Sequence, residues 1–240
     1  MDISKITGTL RKTLPLKYCG AVIVAAGSAS RMEGIDKVMA LLGGEPMIVR
    51  TVRTFQNCDA VKEIVIVTRE DLLTKVTSLC GKYDKVKAVV VGGKDRAESV
   101  RSGLSMLSDK VKLAAIQDGA RPLITEAVID RTIRAAHTYG AAAPAIPVKD
   151  TIKVVSGGIV TSTPDRNTLK AIQTPQVFDV DLLKGALKKA YEDGAAITDD
   201  CSAVELMGFK VKIVDGDERN IKVTTPMDLK IAELLLEDAK

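Results

Sequence analysis

Gly20-Ala21-Val22-Ile23-Val24-Ala25-Ala26-Gly27-Ser28-Ala29-Ser30-Arg31-Met32 passes from a small and branched apolar run into a stretch of small residues that ends on an arginine, with Lys37 six positions further on. The apolar run lacks polar alternation, the pattern of a strand buried on both faces. In the stretch that follows, small residues let main-chain N–H groups approach phosphates, and Arg31 and Lys37 supply charge that the amides lack. The pattern is neither a phosphate loop closing on Gly-Lys-Ser/Thr nor the G-x-G-x-x-G of a dinucleotide fold. The alternative reading of the small residues is a tight turn packed against a helix.

Similar apolar runs recur at 63–67, 86–91 and 112–116. Between them lie helical candidates: one from Pro46 with Ile48, Val49, Val52 and Phe55 on one side, and one from about Asp95 to Leu107. Strand and helix taking turns imply right-handed crossovers and a mostly parallel sheet, with ligands at the carboxyl ends of the strands. The rhythm changes after Ala145. Segments 147–155 and 159–161 flank Ser156-Gly157-Gly158, a hairpin signal that predicts a β-arm at about 147–168. Helices return at 181–191 and 199–206, then a strand at 211–214 and a helix from Pro226. The expected organisation is an extension over 1–17 and one α/β domain over 18–240 carrying the arm.

Of the 240 residues 46% are hydrophobic, enough for a sizeable core, while the net charge of +4 offers no long-range attraction to nucleic acid or a membrane surface. Aromatics are only 3% and Trp is absent, so stacking platforms for single-stranded nucleic acid are missing. Cys19, Cys58, Cys80 and Cys201 have no short pairing, which fits reduced thiols rather than a zinc ribbon or disulfide framework. Residues 1–17 contain no continuous apolar stretch of signal-peptide length and no later run reaches membrane-spanning length, so a soluble, cytoplasmic protein is expected.

Candidate site residues fall in the turns after the strands. Gly92-Gly93-Lys94-Asp95-Arg96-Ala97-Glu98-Ser99 has two glycines that admit a flat ring and a serine placed to bond it; helix capping by Asp95 or Lys94 accounts for the same residues. Asp118, in Gln117-Asp118-Gly119-Ala120-Arg121, is placed to hold Mg²⁺ together with phosphate oxygens, or to form a turn with Arg121 as its ion partner. Asp150-Thr151, Asp165-Arg166, Gln173-Thr174-Pro175-Gln176, Thr198 and Lys222 read singly as turns, caps or solvated faces, Thr198 above all as a helix start. The single histidine, His137, falls in a helix over 126–139 without a nucleophile nearby, which argues against a catalytic triad and predicts a surface position.

Taken together and in order, these segments resemble the 2-C-methyl-D-erythritol 4-phosphate cytidylyltransferases of the non-mevalonate isoprenoid pathway. The likeness runs from about Tyr18 to the end. It rests on Ala-Ala-Gly-x-x-x-Arg-Met with Lys37, Gly-Gly-x-x-Arg-x-x-Ser, Asp-x-Ala-Arg-Pro, Asp-Thr-x-Lys, Asp-Arg-x-x-Leu, Thr-Pro-Gln, Thr-Asp-Asp and Asn-Ile-Lys-Val-Thr. The resemblance implies a Rossmann-like sheet of nucleotide-diphospho-sugar transferase type. It implies that Ala25, Ala26, Gly27, Arg31 and Lys37 hold the triphosphate of CTP. Gly92, Gly93, Arg96 and Ser99 would form the cytosine pocket, and Asp118 would bind Mg²⁺. Arg121, Thr174, Thr198 and Lys222 would face the acceptor phosphate or the reacting α-phosphate, with Arg31, Lys37 and Lys222 carrying catalysis. Thr151 and Arg166 would reach the acceptor from the arm of a second subunit in a homodimer. Relatives usually have Pro before the lysine and Gln after it, where this chain has Asp36 and Val38; Gly119 stands where alanine is more usual. Ribitol 5-phosphate cytidylyltransferases share a closely similar motif set. A noncatalytic relative would be expected to have lost Asp118 or the lysines, and a nicotinamide reductase lacks support in the glycine pattern.

Overall fold

The computed structural model describes residues 15–27 and 36–238. Its first strand, β1 (Cys19–Ala25), shows why this sequence makes a doubly covered sheet. Ala21, Ile23 and Ala25 enter one buried cluster, while Val22 enters another on the opposite side. Both faces of the strand are apolar because both are packed.

In chain order β1 is followed by β2 (Leu41–Leu42), β3 (Glu45–Pro46), α1 (Met47–Asn57), β4 (Val61–Thr68), α2 (Leu73–Cys80), β5 (Val86–Val91), α3 (Arg96–Ser105), β6 (Leu113–Asp118) and α4 (Glu126–Tyr139). Then come β7 (Ala141–Pro147), β8 (Val154–Ser156), β9 (Ile159–Ser162), β10 (Lys170–Ile172), β11 (Gln176–Asp179), α5 (Val180–Glu192), α6 (Asp200–Leu206), β12 (Lys212–Asp215) and α7 (Pro226–Glu237). The main sheet runs β10-β7-β11-β6-β1-β4-β5, with β12 added on β7. Strands β5, β4, β1 and β6 are parallel neighbours, so their carboxyl ends share one edge of the sheet. β11 is antiparallel to both β6 and β7.

β10 and β11 use the same edge of β7 in succession, since β12 pairs with Ala142 and Ala145 from the other edge. The gap between them holds Gln173-Thr174-Pro175. There the chain leaves the ladder, and Thr174 Oγ1 accepts the Asp118 N–H at 3.1 Å.

The four expected strands of the parallel core all form. Pro46 is the residue before α1 rather than its first helical residue, a one-residue shift; Ile48, Val49, Val52 and Phe55 are buried as expected. The hairpin is shorter than the sequence reading: Pro147 closes β7, residues 148–153 are not strand, and only β8 and β9 pair. Its two-residue loop, Gly157-Gly158, has φ of 57° and 80°, values that favour glycine and twist the two strands together.

His137 corrects an expectation. It is buried, because it lies one turn beyond Ile133 on the face of α4 that packs against the sheet.

Candidate active site

The carboxyl ends of β1, β4 and β6 surround a cavity of about 420 Å³. Its walls include Ala25, Ala26 and Gly27 from the turn after β1, Lys37 and Val38, Arg69 after β4, Gly93 to Arg96 and Ser99 at the start of α3, Asp118 at the end of β6, and Lys222. A Cβ placed on Gly27 would stand 3.3 Å from Lys37 Nζ, so the lysine lies directly over the bare glycine backbone. Arg31 lies outside the described residues.

Asp118 is the electrostatic centre. Its carboxylate is 2.8 Å from Lys222 Nζ, 3.5 Å from Arg96 Nη2 and 3.7 Å from Arg121 Nε. Burial pushes the Asp118 carboxyl up, but Lys222 and then Arg96 pull it down further, so it titrates below the usual aspartate range. Arg96 also donates to the fully buried Asp200 at 2.6 Å and thereby links two acids. Burial raises Asp200, and Arg96 offsets only part of that rise. Arg121 donates Nη1 to the Asn220 carbonyl at 2.6 Å; burial lowers its pKa against the pull of Asp118.

Lys222 comes from the last fifth of the chain and reaches Asp118 because Val223 N–H donates to the Ala120 carbonyl at 2.9 Å. Asn220, fully buried, holds the preceding turn by donating Nδ2 to the Thr174 carbonyl at 3.0 Å.

The structure divides the remaining candidates. The Asp95 side chain caps α3 by accepting the Glu98 N–H, so the capping reading of this segment is realised. The Ser99 hydroxyl donates to the Asp95 carbonyl at 2.8 Å and accepts the Gly93 N–H at 3.2 Å, so it braces the turn. Gly92 is not part of the cavity wall. A Cβ there would stand 2.7 Å from Ser99 Oγ and would crowd Ala26, which makes it a close-packing glycine. Thr174 is buried behind Asp118, as above. Thr198 and Asp200 line a neighbouring cavity of about 430 Å³ between α3 and α5, which shares Asp95 and Arg96 with the first. Thr151 and Arg166 are exposed and line neither of these two cavities; Arg166 Nη1 donates to the Lys149 carbonyl at 2.9 Å.

Sequence reasoning quoted Gln176 and Asn220 within motifs without giving them a role, and it passed over Arg69. Gln176 accepts the N–H groups of Asp200 and Cys201 at 3.0 and 3.1 Å and donates to Asp199 at 2.6 Å, which fixes the start of α6. Asn220 works as described above. Arg69, the first residue past β4, had a signal available in its position at a strand's carboxyl end.

The profile of the family described as IspD, 2-C-methyl-D-erythritol 4-phosphate cytidylyltransferase, matches residues 19–238. The chain belongs to this family. A cytidylyltransferase of that name from Caldanaerobacter subterraneus subsp. tengcongensis is 45% identical over 226 residues, covering 90% of this chain and 97% of the relative. One from Symbiobacterium thermophilum is 44% identical over 219 residues, covering 90% and 92%. Among solved structures, the 4-diphosphocytidyl-2C-methyl-D-erythritol synthase of Anaerococcus prevotii superposes with a TM-score of 0.84 at 32% identity, covering 92% of this chain and 96% of that one. The 2-C-methyl-D-erythritol 4-phosphate cytidylyltransferase of Thermus thermophilus gives 0.75 at 28%, covering 92% and 99%. The IspD fold, an α/β sheet with a separate two-stranded hairpin, and membership of an enzyme family are therefore common ground between the sequence expectation and the structure.

Proposed function

We propose that the chain transfers the cytidylyl group of CTP to 2-C-methyl-D-erythritol 4-phosphate, giving 4-diphosphocytidyl-2-C-methyl-D-erythritol and diphosphate. The observation that carries this reading is the gathering of Lys222, Arg96 and Arg121 around Asp118, on a cavity whose other walls carry the Ala25-Ala26-Gly27 turn and Lys37.

The acceptor's phosphate oxygen attacks the α-phosphorus of CTP in line. A new phosphorus–oxygen bond forms, the bond to the bridging oxygen breaks, and diphosphate leaves with its electron pair. The nucleophile is already ionised near neutral pH, so no general base is required. The protein has to bring two anions together and stabilise charge on a crowded phosphorus, which calls for fixed cations in a partly desolvated site.

In this reading Ala25, Ala26 and Gly27 offer main-chain N–H groups to the triphosphate, with Lys37 and Arg31 supplying charge. Gly93, Arg96 and Ser99 on the cavity wall shape the cytosine end, with Gly92 acting through the close packing of the turn. Lys222 serves the α-phosphate, and Arg121, Thr174 and Thr198 border the acceptor side.

Asp118 suits Mg²⁺: it is an ionised carboxylate at a strand end, facing the cavity, and one carboxylate plus substrate oxygens is an ordinary magnesium set. When bound, the ion neutralises triphosphate charge and polarises the phosphoryl group.

The exposed apolar residues Val155, Ile159 and Val160 on the hairpin support a homodimer in which Thr151 and Arg166 of one subunit contact the acceptor phosphate in the other. Residues 18–240 then act as one catalytic domain with its arm. Four free, buried cysteines suit a reducing cytoplasm. Among the described residues no helix is long and apolar enough to cross a membrane.

Diphosphate release with Mg²⁺ and CTP, comparing methylerythritol 4-phosphate with ribitol 5-phosphate and CTP with ATP, GTP and UTP, tests the assignment. CTP with methylerythritol phosphate is the expected pair; preference for ribitol phosphate would move the enzyme to the sister activity.

A further inference from the structure

Asp36 places a carboxylate directly before the lysine assigned to the triphosphate. An unneutralised carboxylate at that point would repel the substrate, so its surroundings matter.

Each Asp36 oxygen has its own task. Oδ1 accepts the Val38 N–H at 3.1 Å, and the Asp36 carbonyl accepts the Met39 N–H at 3.0 Å, which closes the turn that carries Lys37. Oδ2 lies 2.6 Å from Arg69 Nη2. The far end of the turn is stapled to the start of α1, where Ile48 N–H donates to the Val38 carbonyl and Met47 N–H to the Ala40 carbonyl, both at 3.0 Å.

Arg69 is held in turn. Its Nε and Nη2 donate to the two carboxylate oxygens of Asp71 at 2.9 and 2.8 Å, a two-pronged clasp that fixes the guanidinium plane. The register that sets Ala25 opposite Thr68 brings Arg69, the next residue, to the same sheet edge as the Ala26-Gly27 turn. It forms part of the cavity wall there.

We propose that Arg69 is a positioning residue for Lys37. It cancels the Asp36 charge beside the triphosphate and locks the Asp36–Met39 turn so that Lys37 is aimed across Gly27. Two carboxylates already engage Nε and Nη2, which favours this role over that of a phosphate ligand. The inference rests on the nucleotide reading of the cavity and is independent of which acceptor phosphate is used.

The test is a set of double-mutant cycles read as kcat and KM for CTP in diphosphate release, with CTP affinity by calorimetry in parallel so that the outcome stands whatever the acceptor. Arg69→Ala is expected to lower kcat/KM by roughly tenfold or more, equivalent to about 1.4 kcal/mol. Asp36→Asn, which keeps an oxygen for the Val38 N–H, should cost no more than about threefold, and Asp36→Asn/Arg69→Ala should recover most of the loss because the unpaired carboxylate is gone. In a Lys37→Ala background, Arg69→Ala should add less than about a twofold loss. Arg69→Lys should restore part of the activity by supplying the charge without the clasp. The proposal is overturned if the Asp36→Asn/Arg69→Ala protein stays as impaired as Arg69→Ala, or if the Arg69 and Lys37 losses multiply. Either result would make Arg69 a direct phosphate ligand or a purely structural residue.

Discussion

Lys222 Nζ and Asp118 Oδ2 are 2.8 Å apart, a pair made by the end of β6 and a loop from the last fifth of the chain. Asp118 is almost buried and Lys222 is half-exposed, and both side chains line the cavity. In the proposed reaction Lys222 would meet the incoming α-phosphate while Arg96 and Arg121 continue to balance Asp118. Lys222→Ala is therefore expected to lower kcat by about 10²–10³, the size of effect seen when one fixed donor to a developing charge is removed. KM for CTP should change by only a few fold, since Lys37 and the glycine turn remain. Steady-state kinetics at saturating CTP checks this, and an unchanged kcat would remove Lys222 from the reacting centre.

The same pair has a stability signature. Asp118 is held below its ordinary value, so its contribution is fully present above about pH 3.9 and is lost as pH falls through the lower folded-state value. Lys222→Met, which keeps most of the side-chain length without the charge, takes away the largest force depressing that carboxyl. The wild type should melt at a higher temperature than the variant near neutrality, and the gap should close on acidification below about pH 4. Thermal melts in a series of buffers measure it; a gap independent of pH would mean that the ion pair is fully screened.

The parallel core and the place of Asp118 at a strand end were legible because uninterrupted branched runs mark the strands by local pattern, and the Arg121 ion partner read from the sequence is present. The preference for a metal role at Asp118 comes from the family resemblance alone. The Lys222–Asp118 and Arg96–Asp200 contacts were not legible, because they join distant segments and depend on the Asn220 and Gln176 side chains that hold those loops in place. The single-residue reading of Ser99 foresaw a hydrogen-bonding serine at the site but not its partner: the hydroxyl is consumed by the turn itself. His137 was misread because one polar residue on a helix looks like a surface residue until the facing sheet shows which side is covered. Arg69 escaped notice because it belongs to no motif and acts through Asp36.

Arg96 joins the two acids Asp118 and Asp200, and Asp200 has no exposure to water. Arg96→Met would leave Asp200 as an uncompensated buried charge, and a loss of about 3–5 kcal/mol in folding stability is expected. Arg96→Met/Asp200→Asn should regain most of that stability while remaining poor in catalysis, since Asp118 would still lack one of its cations. Urea unfolding of the single and double variants separates the two effects. Equal instability of both would show that Arg96 stabilises through packing rather than through Asp200.

The exposed hairpin leads to a test of the shared site. Ile159 is 72% exposed, and Val155 and Val160 are each 54% exposed, a concentration of apolar surface on two short strands that, among the described residues, pair only with each other. If two arms interlock, Arg166 serves the neighbouring subunit's site while Lys222 serves its own. Arg166→Ala and Lys222→Ala should each be nearly inactive alone. Mixed after dissociation and reassembly, half of the dimers would be hybrids, and in each hybrid one site carries both substitutions while the other carries neither. Activity should therefore return to about a quarter of the wild-type value, as a symmetric dimer with exchanged residues requires. A mixture that stays as inactive as its parents, with subunit exchange verified by mass, would place Arg166 in its own subunit's chemistry or outside the chemistry altogether.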